Sequence, residues 1–222
     1  IKSGEIREYD IARVVAVAQA IPLPEGEKIL QVMPQLFTID GNQVVRDPLK
    51  MHGVRLEAQV HIITGGITSV QNLVKCCESA GIHVRDIVLE PIASAQAVLS
   101  KDEQELGVAM LDIGGGTSDF AVYQRGSIRH TNIIPIAGNL FTHDIALCLR
   151  TTRSDAERVK KDFASLLLSD TYHEKIVIQC TDGEATKQVA ISDLNAIVRY
   201  RAEELMLLVH HEIMLYKLTQ FM

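Results

Sequence analysis

Two periods of apolar residues alternate along the chain, so the sequence predicts both strands and helices. Residues 56–62 alternate strictly between apolar and polar side chains, which is typical of a half-buried strand. Residues 10–21 instead place their apolar side chains on one helical stripe, with Asp10 positioned as the N-cap. Because the two patterns alternate over the whole length, the chain is predicted to have an α/β or α+β fold.

The remaining elements follow from the same patterns. Strands are predicted over residues 29–39, 87–89, 106–111, 120–123, 128–136, 176–180 and 189–191. Helices are predicted between Thr68 and Gly81, from Glu90, over residues 139–149 and 154–168, and from Ser192 onward. Thr68, with Gln71, and Ser192 are the expected caps, and Gly81 the expected stop. Pro34 predicts an edge strand or a bulge, and residues 101–104 a polar connector. The nearly continuous apolar run at 106–111 predicts a strand buried on both faces.

Composition narrows the classes of function. The 222 residues carry a formal charge of −6, which argues against a nucleic-acid binder because no broad basic face could neutralise phosphates. No apolar run approaches the ~20 residues that cross a bilayer. The four cysteines match no zinc or redox spacing, and three are predicted to be buried thiols. The chain begins at Ile1 and ends at Met222 within an apolar helical pattern, so we expect an internal segment of a longer protein.

One segment carries recognisable chemistry: the glycine turn between two apolar strands at Met110–Tyr123. It is neither a P-loop nor a Rossmann fingerprint, because no Lys-Ser/Thr follows and the glycines are consecutive. Gly114, Gly115 and Gly116 permit positive φ and let backbone N–H groups converge on an anion. Thr117 adds a hydroxyl donor, and Asp112 could hold Mg²⁺ directly or through water. The alternative is a glycine-bulged hairpin with a capping Asp and no ligand.

The glycine turn and its surroundings resemble the second phosphate loop of the actin, Hsp70 and sugar-kinase superfamily, and within it the FtsA family of bacterial cell-division proteins. One departure is His52, where the family has Ser before Gly-Val-Arg. The resemblance implies an incomplete actin-like (ribonuclease H-like) ATPase fold of the α/β class with a small α+β inserted subdomain. The segments that carry the resemblance are 105–108, 111–117, 128–131, 134–139 and 154–157.

The resemblance also implies a site for ATP and Mg²⁺. Glu157 and Lys160 match a Glu-x-x-Lys pair that contacts ribose and adenine, and Arg158 is expected to point away from that face. Gly138 matches a turn before a helix whose N-terminus faces the phosphates. The alternatives are a capping box between Ser154 and Glu157 with an ordinary ion pair to Lys160 or Lys161, and a simple turn at Gly138. The full expected set is Asp112 (also the metal ligand), Gly114, Gly115, Gly116, Thr117, Gly138, Glu157 and Lys160.

Four segments are expected from the family's organisation. Residues 1–60 would form its extra small subdomain (1C, SHS2-like), and residues 61–104 the C-terminal part of the first large subdomain (1A). Residues 105–150 would hold the phosphate-loop part of the second large subdomain (2A), and residues 151–222 the second small subdomain (2B).

The family's function would be to bind ATP, polymerise at the division site and link FtsZ filaments to the inner membrane from its cytoplasmic face. Expected partners are FtsZ, further copies of the protein and, through residues 1–60, other division proteins, but no nucleic acid. The family's amphipathic membrane helix would lie outside this chain, because the polar side of the last helix carries Glu203, Glu204 and Glu212. No catalytic residue is identified, and whether ATP is hydrolysed stays open. The alternatives are an FtsA-like pilus-assembly adaptor and a sugar or acid kinase of the same superfamily.

Overall fold

The computed structural model describes residues 1, 4–167, 174–182 and 185–217, and it is a mixture of helices and strands. The helices are α1 (Glu8–Gln19), α2 (Ile67–Ser79), α3 (Glu90–Val98), α4 (Lys101–Leu106), α5 (Gly138–Cys148), α6 (Arg153–Phe163) and α7 (Ile191–Leu215). The strands are β1 (Glu27–Ile39), β2 (Gln43–Val45), β3 (Leu56–Gly66), β4 (Val108–Ile113), β5 (Ser118–Gln124), β6 (Ser127–Ile134), β7 (Lys175–Gln179) and β8 (Thr186–Ala190). Contacts divide the chain into two units, residues 1–107 with 123–130, and residues 108–122 with the described part of 131–222.

The first unit is built on a three-stranded antiparallel sheet in the order β2-β1-β3. Helix α1 packs against β3 and β1. The register of β1 against β3 shifts between Pro34 and Leu36, which confirms the bulge predicted from a residue that has no N–H to donate. A tight turn follows β1, with Asp40 and Gly41 at φ of 50° and 81°.

Helix ends differ from the sequence-based expectations. Asp10 lies in the first turn of α1 rather than at its N-cap, and its carboxylate accepts a hydrogen bond from the Arg7 N–H at 3.3 Å. Helices α2 and α7 follow β3 and β8 without a loop, so neither has a side-chain cap and Thr68 and Ser192 lie inside the first turn. Gly81, at φ 78°, follows the end of α2 as predicted.

Three further expectations are wrong. Residues 87–89 form no strand. Residues 101–106 form α4 rather than a connector, because Ser100 and Glu103 make a reciprocal capping box at 3.2 and 2.8 Å. The cysteines are not buried thiols: Cys76 and Cys148 are exposed, and the other two are half-buried. Asp182-Gly183 is a pair typical of a hairpin turn, and Gly183 lies outside the described residues.

A three-stranded sheet in the order β4-β5-β6 carries the glycine turn. Only four residues separate β4 from β5, and a parallel pair would need a much longer crossover, so the two strands are antiparallel. The central strand β5 is buried from Ser118 to Tyr123. Strand β4 is only half-buried, with Met110 as its one buried residue, so the expectation of burial on both faces is wrong for β4 and describes β5 instead.

The second unit packs its helices around two apolar clusters. The first joins α5, α6, the β7-β8 hairpin and the start of α7 through residues such as Ile145, Val159 and Leu194, which are fully buried. The second joins β5 to the later part of α7, where Leu205 and Val209 are buried. Among the described residues, no helix is both long enough and apolar enough to cross a membrane.

Helix α6 is fixed to β7 by a network around Asp155, a buried carboxylate. Arg158 donates to Asp155 at 2.7 Å and to the Val177 carbonyl at 3.0 Å, and the Gln179 N–H donates to Asp155 at 2.8 Å. Hydrogen bonds to an ionised carboxylate are stronger than neutral ones. Arg158 is therefore a structural residue that holds the hairpin against α6.

Candidate functional site

The loop Gly114–Thr117 connects β4 to β5 and is closed by a hydrogen bond from the Gly114 N–H to the Thr117 carbonyl at 3.0 Å. Gly115, Gly116 and Thr117 are exposed. None of the three glycines in this loop has a positive φ, so the predicted use of left-handed backbone is wrong here. Space is what favours glycine at position 114, because a Cβ there would lie 3.1 Å from the Thr117 carbonyl oxygen.

The N-terminus of α5 is bonded to the carbonyl side of this loop. Gly138 donates its N–H to the Gly114 carbonyl at 3.0 Å, and Asn139 donates to the Gly115 carbonyl at 2.8 Å. The next N–H, of Leu140, bonds the Ala137 carbonyl at 2.9 Å. These three N–H groups are therefore occupied by protein carbonyls and do not face an open anion site. Gly138 lies beside the loop, and its direct contact with a nucleotide stays a prediction.

Peptide geometry then fixes where the N–H side of the loop points. In a trans peptide the carbonyl of one residue and the N–H of the next point in opposite directions. Because the carbonyls of Gly114 and Gly115 face α5, the N–H groups of Gly115 and Gly116 face away from it. Within the described part of the chain, these two N–H groups and the Thr117 N–H and hydroxyl have no hydrogen-bond partner. The loop thus presents neighbouring unpaired donors, of which the N–H groups of Gly115 and Gly116 point away from α5.

Asp112 lies two residues before the loop, near the end of β4, and is half-buried. Among the described residues, no group of three or more His, Cys, Asp or Glu side chains could hold a metal ion by itself. Mg²⁺ commonly binds through one or two carboxylates together with phosphate oxygens and water. The position and chemistry of Asp112 fit such a shared site.

The start of α6 excludes the capping box that was the alternative role of Glu157, but the ion pairs of that alternative are present. Thr152 is the N-cap, and its hydroxyl accepts a hydrogen bond from the Asp155 N–H at 3.2 Å. Ser154 lies inside the first turn, so it forms no capping box with Glu157. The Glu157 carboxylate instead contacts Lys160 at 2.7 Å and Lys161 at 3.1 Å.

The Lys160 ammonium group links α6 to the N-terminus of α5. Its Nζ donates to Glu157 Oε2 at 2.7 Å, to Thr142 Oγ1 at 2.8 Å and to the Gly138 carbonyl at 3.0 Å. An ammonium group has three hydrogens to donate, so these contacts use all of them. The hydrogen bonds from Lys160 first, and from Thr142 second, lower the pKa of Glu157 to about 2.

These contacts place most of the predicted residues in one connected region. Gly114 binds Gly138, Gly138 binds Lys160, and Lys160 binds Glu157. Thr117 joins this set through its carbonyl, which accepts the Gly114 N–H at 3.0 Å.

Two residues of this region were not predicted from the sequence. Thr142 is buried and bonds both Glu157 and Lys160, and Asn139 holds its side-chain nitrogen 3.5 Å from where a Cβ on Gly115 would lie. The signal for Thr142 is its spacing of four residues from Gly138, which puts both on one face of α5.

Comparison with known proteins identifies the family. A family model described as "SHS2 domain inserted in FTSA" matches residues 1–64, and one described as "Cell division protein FtsA" matches residues 109–213. The cell division protein FtsA of Neisseria meningitidis is 44% identical over 207 residues, which is 92% of this chain and 50% of that protein. The chain belongs to the FtsA family.

This FtsA-family chain spans about half the length of the curated relatives it matches. Two solved structures show that the fold is actin-like. MreB 5 of Spiroplasma citri bound to AMPPNP matches with a TM-score of 0.54 at 24% identity, over 65% of this chain and 46% of that one. A PilM-PilN type IV pilus biogenesis complex matches with a TM-score of 0.61 at 15% identity, over 95% of this chain and 51% of that one. The predicted α/β fold of the actin-like class with an inserted subdomain is thereby confirmed.

Proposed function

We propose that this chain supplies the phosphate-binding side of an ATP site in a cell-division protein of the FtsA family. One observation carries the proposal: the carbonyls of Gly114 and Gly115 are bound to α5, and the N–H groups of Gly115 and Gly116 are unpaired and point away from that helix. Consecutive N–H groups that converge without side chains between them form a concave site for anions.

In this site the N–H groups of Gly115, Gly116 and Thr117 donate to phosphate oxygens, and the Thr117 hydroxyl adds a fourth donor. Asp112 holds Mg²⁺ beside the loop, either directly or through water. When bound, Mg²⁺ supplies positive charge that offsets the charge of the phosphates. The MreB 5 structure was solved with AMPPNP, a nucleotide analogue, which supports a nucleotide as the ligand of this fold.

Glu157 and Lys160 belong to the nucleoside end of the same site in this proposal. Their network reaches Gly138, which is itself bound to the glycine loop, so the pair is held close to the phosphate-binding residues. The ionised Glu157 carboxylate is the natural acceptor for ribose hydroxyls. All three hydrogens of the Lys160 ammonium group are donated to protein oxygens, so Lys160 acts mainly by holding Glu157 in position.

At the level of the cell, the protein would bind ATP, self-associate at the division site and link FtsZ filaments to the cytoplasmic face of the inner membrane. Residues 1–60 would offer a surface to other division proteins, and the four segments predicted from the sequence would be its subdomains. Identity of 36–44% with FtsA proteins over more than nine-tenths of the chain favours this role over a pilus adaptor, for which the likeness is 15%.

The phosphate site is tested by titrating the chain with inorganic tripolyphosphate and following backbone amide signals by NMR. Signals of Gly115, Gly116 and Thr117 should shift, while those of Gly138 and Asn139, whose N–H groups are already bonded, should shift less. Thr117→Val should weaken binding by up to about tenfold through loss of one charge-assisted hydrogen bond. The matched control is Thr64→Val, because Thr64 is an exposed threonine on β3.

A uniform pattern of small shifts, or equal affinity of the two variants, would contradict the phosphate site.

The cellular role is tested separately by tagging the protein in its host. We expect a band at mid-cell that depends on FtsZ, and a diffuse signal would count against the division role.

A further inference from the structure

Thr142 is the buried centre of the contacts that join α5 to α6. The side chain lies one turn after Gly138 on α5 and is 2% exposed. Its hydroxyl contacts Glu157 Oε2, receives a hydrogen bond from Lys160 Nζ at 2.8 Å and lies 3.0 Å from the Gly138 carbonyl. Every polar group around this hydroxyl therefore belongs to the nucleoside end of the site or to its link with the glycine loop.

We propose that Thr142 is a positioning residue of the nucleotide site, whose hydroxyl fixes the Glu157 carboxylate relative to the Gly114–Thr117 loop. The inference rests on the proposed ATP site. Thr142 itself contacts no ligand in this proposal, since it is buried behind Glu157 and Lys160. It would act by holding the Glu157 carboxylate in the one position from which it accepts hydrogen bonds from the ribose hydroxyls.

Proton counting gives the direction of the hydrogen bonds. A hydroxyl has one hydrogen to donate, while two acceptors, Glu157 Oε2 and the Gly138 carbonyl, lie within reach of Thr142. The carboxylate is ionised and lies closer than the carbonyl, so it is the stronger acceptor. Lys160 donates into the same hydroxyl oxygen, which polarises its O–H bond toward the carboxylate. Lys160, Thr142 and Glu157 thus form a closed, charge-assisted triangle.

The other contacts of Glu157 would not fix it equally well. Lys161 reaches Oε1 at 3.1 Å, but its side chain is 69% exposed, so water competes for the contact. Lys160 is a flexible side chain on the same helix as Glu157, and alone it does not relate the carboxylate to another element. Thr142 has a short β-branched side chain on α5, so its hydroxyl ties the carboxylate to the helix that is bonded to the glycine loop.

The test uses Thr142→Val, which keeps the shape and removes the hydroxyl, and Thr142→Ser, which keeps the hydroxyl. Both are measured in a protein of the relatives' full length that contains this chain, with Thr64→Val as control. Affinities for Mg-ATP and for Mg-tripolyphosphate are determined side by side, because tripolyphosphate has no ribose to engage Glu157. A second measurement follows the Glu157 carboxyl signal by NMR titration without any ligand.

Thr142→Val should lose about tenfold in Mg-ATP affinity and change tripolyphosphate affinity by less than about twofold. Thr142→Ser should restore most of the loss. Without ligand, the Glu157 pKa should rise from about 2 in Thr142→Val, since one hydrogen bond to the ionised form is gone. A general loosening of the fold would instead weaken both ligands together.

Three results with the variants would overturn the proposal. The first is equal loss of both ligands in Thr142→Val, and the second is an unchanged Glu157 titration in that variant. The third is failure of Thr142→Ser to restore binding while it remains folded. If the unmodified protein binds tripolyphosphate but not ATP, the phosphate loop stands and the role of Thr142 falls. If it binds neither, the proposed ATP site itself is refuted.

Discussion

Replacing Gly114 by Ala tests whether lack of space for a side chain is the reason that glycine is favoured at this position of the turn. The added Cβ would lie 3.1 Å from the Thr117 carbonyl oxygen, which accepts the hydrogen bond that closes the turn. The carbonyl has to move by a few tenths of an ångström, and its hydrogen bond is stretched or lost. The matched control is Gly116→Ala, because nothing lies within 4 Å of a Cβ at that position.

The magnitude follows from the difference between the two variants. Each Gly→Ala change lowers the entropy of the unfolded chain to a similar extent, about 0.4–1 kcal/mol, and this contribution cancels between them. What remains is the turn-closing hydrogen bond, with a net value of about 0.5–1.5 kcal/mol. Gly114→Ala should therefore be less stable than Gly116→Ala by that amount, which corresponds to about 1–6 °C in midpoint temperature for a chain of this size.

Thermal and urea unfolding followed by circular dichroism would measure the difference. Tripolyphosphate binding to Gly114→Ala should also weaken, because the N–H groups of the loop lose their common direction. Equal stability of the two variants, or a less stable Gly116→Ala, would refute the interpretation that space rather than backbone conformation favours glycine at position 114.

Three further outcomes are expected. Folding lowers the pKa of Glu157 from its ordinary 4.5 to about 2, so the stabilisation from this carboxylate is complete above pH 4.5 and is lost as the pH falls toward 2. Glu157→Gln should therefore flatten the dependence of the free energy of unfolding on pH in this range. An unchanged pH dependence would contradict the network. Arg158→Ala should destabilise the second unit by about 1–2 kcal/mol in urea unfolding, because Asp155 loses its charged partner and the Val177 carbonyl loses the Arg158 donor, whereas Lys161→Ala should change stability by less than about 0.5 kcal/mol. The 222-residue chain alone should bind Mg-ATP no more tightly than about 1 mM in a calorimetric titration, since one phosphate loop leaves the ligand open to water; micromolar binding would show that these residues suffice.

The sequence was most informative where local pattern and local structure coincide. The apolar segment around Phe120, the glycine turn and the bulge at Pro34 each depend on residues that are close in sequence, and all were predicted. Strand order decided the burial of β4 and β5, and composition does not encode it: both strands are apolar, but β5 is the central one. The half-buried state of β4 could therefore not be predicted from its residues.

Helix caps were the least predictable feature. Thr68 and Ser192 are good capping residues by type, yet α2 and α7 begin directly at the ends of strands and have no side-chain cap. At α6 the expected cap was Ser154, but the structure uses Thr152, which lies two residues earlier and has a similar capping propensity. That difference frees Glu157 from a capping role, so an error of two residues changes the interpretation of a candidate site residue.

The hydrogen bonds from α5 to the carbonyls of Gly114 and Gly115 mean that the loop is preorganised. A glycine-rich segment would ordinarily lose much conformational entropy when a ligand orders it, and that loss weakens binding. Here the orientation of the peptide planes is set when the chain folds, so at the proposed phosphate site an incoming anion would meet donors that already point toward it. Binding strength at that site would then be coupled to the integrity of α5, and a substitution that frays the first turn of the helix would weaken anion binding without changing a contact residue.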